Sequence, residues 1–145
     1  MTLVRGLAPI LAAVFTATAA IAAPTTAVAT PPVNTEAVVI SAATVEGIDY
    51  ITRRITIQPG GSTGWHYHVG RVFGVVREGT LTRTMADCLD VVDPTGAPVT
   101  EGIGPNHVHN GRNRGPVPVV LWVVYIQPAG TPPAVDVPPP PGCPI

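Results

Sequence analysis

The chain is organised as runs of β-branched and other apolar residues broken by Gly, Pro and Asp: AVVISAATVEG, YITRRITIQPGG, GRVFGVVREG, TLTRTM, CLDVVDPTG, APVTEG and VPVVLWVVYIQPAG. Short apolar runs closed by turn residues predict strands, and no stretch carries a convincing helical period. Many short strands with regular turn signals predict an all-β sandwich or barrel. Residues 119–126, VVLWVVYI, are apolar in both phases of the two-residue repeat, as in a central strand covered on both faces. The REGTL stretch predicts a tight turn with Gly79 at positive φ. There is no internal repeat.

Composition adds a size and a charge limit. A length of 145 residues with 46% hydrophobic content is one domain's worth with a core of ordinary size. Only 12% of residues are charged, the formal net charge is -1, and every basic residue is an Arg. That leaves no electrostatic footprint for nucleic acid.

The two ends read differently from the middle. Residues 1–29 carry one Arg, then an apolar run, then small residues, the pattern of a cleaved secretory signal peptide. Cleavage is expected after Ala29, with an alternative small-residue site at Ala22. The run is short for a spanning helix and lacks a basic flank after it, so no membrane association is expected once the signal is removed. The expected mature domain, residues 30–145, is therefore secreted or extracytoplasmic. Its last residues, from about 128 to 145, are too proline-rich for a helix or a central strand and are expected to run extended.

An oxidising compartment changes the reading of the two cysteines, Cys88 and Cys143. An isolated pair there is most simply one disulfide, which would pin the tail to the barrel wall. Closing a loop of that length stabilises by about 4 kcal/mol in the chain-entropy picture.

The candidate chemistry lies in the histidines. All four in the chain fall into His-x-His pairs, His66 with His68 in GGSTGWHYHVG and His107 with His109 in HVH. Residues two apart on a strand share a face, roughly 7 Å apart, so two such pairs on neighbouring strands bring three or four imidazoles to one point. Imidazole suits zinc, copper, iron and nickel. The same alternation turns Trp65 and Tyr67 away from the site, toward outer packing.

The spacing of these residues resembles the cupin superfamily. Gly60, His66, His68 and Gly79 match the first cupin motif, and His109 with Asn113 resembles the end of the second, over residues 60–113. The resemblance implies a double-stranded β-helix, a jelly-roll barrel, with His66, His68 and His109 as ligands of one divalent transition metal: iron, manganese, nickel, copper or zinc. The family's Glu falls on Val72, so the usual carboxylate ligand is missing. His107 has no counterpart in the motif. Sharing a face with His109 by alternation, it is open to being a fourth ligand, an outer hydrogen-bonding group or a rim histidine in solvent. A carboxylate such as Glu101 or Glu78 could approach from a neighbouring strand, Glu78 from the turn before Gly79, and neither is assigned to the site. Arg71 and Arg112 flank the motifs, where an arginine holds a substrate carboxylate or simply faces solvent. Asn113 is expected to fix its loop through backbone hydrogen bonds.

As function, the resemblance implies a secreted metal-binding cupin, and as an enzyme a dioxygenase-like oxidoreductase acting on a small organic molecule. The alternative is a secreted module that binds a metal, a sugar or a carboxylate without turnover. Cupins commonly pair, so a homodimer is open.

Overall fold

The computed structural model describes residues 28–143. The expected signal, residues 1–29, lies outside these but for its last two positions. The strands follow in order: β1 (Val33–Val45), β2 (Ile48–Ser62), β3 (His66–Tyr67), β4 (Arg71–Glu78), β5 (Thr80–Met85), β6 (Asp90–Pro94), β7 (Pro98–Glu101), β8 (His109–Arg112), β9 (Val119–Pro128) and β10 (Val135–Asp136). Between β7 and β8 sits one 3-10 turn, Pro105–His107. Among the described residues no helix is long and apolar enough to cross a membrane.

These strands form one nearly closed, antiparallel barrel with the order β10-β3-β8-β2-β9-β4-β7, to which β1 adds beside β2, and β5 beside β8 with β6 outside it. Turn chemistry sets the hairpins. The two-residue link between β1 and β2 is Glu46–Gly47, both at positive φ, as the twist of paired strands requires. Gly79 links β4 to β5 at φ 73, where a Cβ would press on the carbonyl of Pro118.

Alternation then places the core. Ile55 and Ile57 from β2, Val72 and Val76 from β4, Leu81 from β5, Val99 from β7, and Val119, Leu121, Val123 and Tyr125 from β9 fill the barrel. A fully buried aliphatic side chain of this kind contributes about 1.5–3 kcal/mol. β9 is central, lying between β2 and β4, yet only its inner face is buried: Trp122 on the outer face is 47% exposed. Its doubly apolar pattern therefore does not reflect a second covering layer. Trp122 packs instead under the guanidinium of Arg77, 6.0 Å from the ring centre.

The proline-rich tail runs extended along the barrel and makes one short pairing, Val135 with Tyr67 and Asp136 with His66. Val137 N–H donates to Trp65 O at 2.8 Å, and Thr30 N–H donates to Val137 O at 3.2 Å. A disulfide joins Cys88, in the turn after β5, to Cys143 in the tail.

Candidate metal centre

Strand pairing assembles the histidines. His66 on β3 lies directly opposite His109 on β8, so their side chains share the inner face. His68 follows just past β3, where Gly104 N–H donates to its carbonyl at 2.8 Å and holds it level with the pair. The three rings lie 4.5 to 5.2 Å apart between centres, and one ligand atom from each falls within 4.8 Å of the others. All three side chains are buried.

Each ring is held by a backbone carbonyl. Nδ1–H of His66 donates to Gly64 O at 2.9 Å, that of His68 to Pro133 O at 2.6 Å, and that of His109 to His107 O at 2.8 Å. A carbonyl only accepts, so Nδ1 carries the proton, and Nε2 of the neutral ring keeps a lone pair for a metal. Gly64 contributes through its conformation: at φ 73 it takes the left-handed region, and a methyl there would run into the Thr30 carbonyl.

Glu101 is a group that sequence reading named without assigning it to the site. It stands on β7 opposite Val72, the position at which the resemblance expected a Glu. Its Oε2 lies 2.8 Å from His68 Nε2 and its Oε1 3.2 Å from His109 Nε2, with the carboxylate side chain 13% exposed. Both Nε2 atoms are buried, and neither makes a hydrogen bond of good geometry. The sequence did contain a signal: Val99 is a core residue, so two-residue alternation turns Glu101 to the same inner face.

Burial and neighbouring charge set the protonation. Burial, with the charges of His109 and His68 added, pushes His66 down to about 3, so it is neutral near pH 7. Burial also pushes the Glu101 carboxyl up, but His109 and His68 outweigh it and hold it well below the ordinary carboxylate range. Burial lowers His109, and the Glu101 carboxylate more than reverses this, leaving its pKa raised.

His107 stands apart from the other three, as a histidine at the rim. It belongs to the 3-10 turn, not to a strand, because Pro105 fixes the turn and β8 begins only at His109. Its side chain is exposed and its ring packs over Gly102, so only its carbonyl serves the site, as the acceptor for His109. Glu78 is exposed on its turn, and Arg71 is exposed. Arg112 lies over the buried Trp65, 6.0 Å from its ring centre. Neither arginine lines the histidine cavity. Asn113 does as expected: its amide donates to Ile57 O and Val117 O, both at 2.8 Å, and its Oδ1 accepts from Gly115 N–H at 2.9 Å.

The cavity beside the imidazoles is about 30 Å³, with Tyr125, Leu121 and Val99 in its wall. A larger cleft of about 560 Å³ lies at Trp65, Asn110 and Arg112, and no histidine lines it.

No family profile and no curated protein matches the chain. Among solved structures it is similar to the polyketide cyclase RemF from Streptomyces resistomycificus, at 18% identity and TM-score 0.57 over 76% of each chain. It is also similar to a double-stranded β-helix protein from Klebsiella pneumoniae, at 18% identity and TM-score 0.55 over 74% of this chain and 80% of that one. A third is a cupin 2 conserved barrel protein from Salinispora arenicola, at 18% identity and TM-score 0.54 over 66% and 77% of the two chains. The chain has the cupin fold. The residues present fit a metal: three buried imidazoles, each with Nδ1–H given to a carbonyl, two of them with buried Nε2 atoms that make no hydrogen bond of good geometry.

Proposed function

We propose that this cupin is an exported protein that binds one divalent transition metal, iron, manganese, nickel, copper or zinc, through His66, His68 and His109. The observation that carries the proposal is the orientation of the three rings, each donating from Nδ1 to a carbonyl and turning Nε2 to a shared, enclosed point. Three imidazoles suit these ions, and the carbonyl partners set the tautomer and raise ligand basicity. Export is supported by the apolar lead at residues 1–29 and by the Cys88–Cys143 disulfide.

The cavity favours binding over turnover of an organic molecule. At about 30 Å³ it has room for a water or a diatomic molecule. The second reading, a dioxygenase-like oxidoreductase acting on a small organic molecule, is favoured by the cavity's apolar wall beside the Nε2 atoms. A bound ion would supply Lewis acidity and, if redox-active, electrons. The chain's own part is then to fix the ligand rings and to exclude water with Val99, Leu121 and Tyr125. The exposed strand β1 is where we place a second copy in a homodimer.

Elemental analysis of the purified protein tests the proposal. One equivalent of metal is expected, lost in His66→Ala and retained in His107→Ala. No metal above background after reconstitution would refute it. Oxygen uptake by the loaded protein over a panel of small aromatic and carboxylate compounds would establish the oxidoreductase reading, and none would leave the binding module.

A further inference from the structure

We propose that Glu101 is the fourth protein ligand, an oxygen donor supplied from β7 in place of the carboxylate that β4 lacks. This rests on the metal-binding reading and adds the composition of the shell. Three observations carry it.

The first is register. Val72 and Glu101 are direct partners in the β4–β7 pair, so both project to the same face from adjoining positions. Directly opposite residues in such a pair have Cβ atoms about 4.5–5.5 Å apart, a distance that one Glu side chain spans. A carboxylate moved sideways by one strand therefore reaches the same point, and Val72 is free to be a core residue, 1% exposed.

The second is the donor separation. Ligand atoms about 2.1 Å from one ion lie roughly 3.0 to 3.4 Å apart at right-angled and tetrahedral spacing. The Glu101 oxygens stand 2.8 and 3.2 Å from Nε2 of His68 and His109, close to that edge length. Both are close ion-pair contacts, and neither Nε2 makes a hydrogen bond of good geometry in them.

The third is charge. Three neutral imidazoles leave a divalent ion with its full charge inside an apolar barrel, and buried charge is costly unless compensated. Arg83, the other buried ionic group in the cavity wall, is already committed: its Nε donates to Asp93 Oδ2 at 2.7 Å. Glu101 is the cavity's available anion. A hard oxygen among three imidazoles also shifts preference toward iron, manganese or zinc and away from cuprous ion.

The experiment compares wild type, Glu101→Gln and the swap Val72→Glu/Glu101→Val, using Zn2+ affinity by chelator competition and the visible absorption spectrum of the Co2+ form. Glu101→Gln should lose roughly tenfold or more in Zn2+ affinity and change the Co2+ spectrum, and the swap should regain both. An unchanged Co2+ spectrum in Glu101→Gln, whatever its affinity, overturns the ligand assignment. If that variant does not fold, the swap decides: regained binding supports the shared position, and a folded swap that binds nothing overturns it. A wild type that binds neither ion refutes the metal reading itself, a result distinct from the others.

Discussion

His66 is a residue whose chemistry is far from its behaviour in water. With its pKa at about 3 against an ordinary 6.5, the folded metal-free protein leaves it neutral where the unfolded chain protonates it. Between those values the unfolded state binds more protons, so stability falls as pH falls. His109 does not offset this, because its raised pKa makes its contribution complete once pH has dropped to 6.5. Glu101, held low, adds to the loss below its ordinary 4.5. Thermal unfolding of chelator-treated protein should show a melting temperature that declines from pH 6.5 to 4, and a folded His66→Gln variant should flatten that slope. An equal slope in both would contradict the assignment. At this scale the sequence was informative about type and poor about place. His66, His68 and His109 were legible because every histidine falls in a pair and the spacing resembles a known motif, although neither pair lies wholly on one strand: His68 follows β3 and His107 precedes β8. Glu101 was named as a carboxylate that a neighbouring strand could bring in but could not be assigned, since that strand's partner is set by a pairing that distant residues decide. His107 misled for the opposite reason: alternation was extended through a proline turn where it does not hold.

The strands were read best where local pattern and burial agree. TLTRTM matches β5, Thr80–Met85, from end to end, whereas β3 and β8 are two and four residues of polar and Gly-containing sequence that only pairing makes into strands. β9 shows how an apolar run overstates burial, with Trp122 facing outward. β1 carries a consequence of its own. Among the described residues it pairs on one side only, with β2, and Val39, Ile40 and Val45 are each about half exposed. Its stretch AVVISAATV has no charge, so two copies placed antiparallel across a two-fold axis would oppose no like charges. Sedimentation should find a dimer in wild type and a monomer in Val39→Lys. As a surface change, the substitution should alter the stability of the protomer by only about 0.5 kcal/mol. A wild type that sediments as a monomer would count against the pairing.

For the molecule as a whole, the tail ties distant parts of the chain together. Its segment from Pro133 to Cys143 gives His68 its carbonyl partner, pairs with His66 and Tyr67, and ends in the bond to Cys88. Pattern alone gave the extended tail and the disulfide; what it lacked was the contact with a ligand, which depends on where the barrel wall lies. Reducing the disulfide should therefore weaken metal binding as well as fold stability. Zn2+ competition with and without reductant should differ by roughly ten- to a hundredfold, and Cys88→Ser/Cys143→Ser should match the reduced protein in both conditions. Equal affinity in both redox states would separate the tail from the site. Pro133 follows His68 by 65 residues, so during synthesis the ring waits for its partner while most of the barrel is still being made. On the metal-binding reading, a nascent chain would present an unfinished chelator, and ion capture would be a late maturation event, open to molecules whose tail has docked and been oxidised.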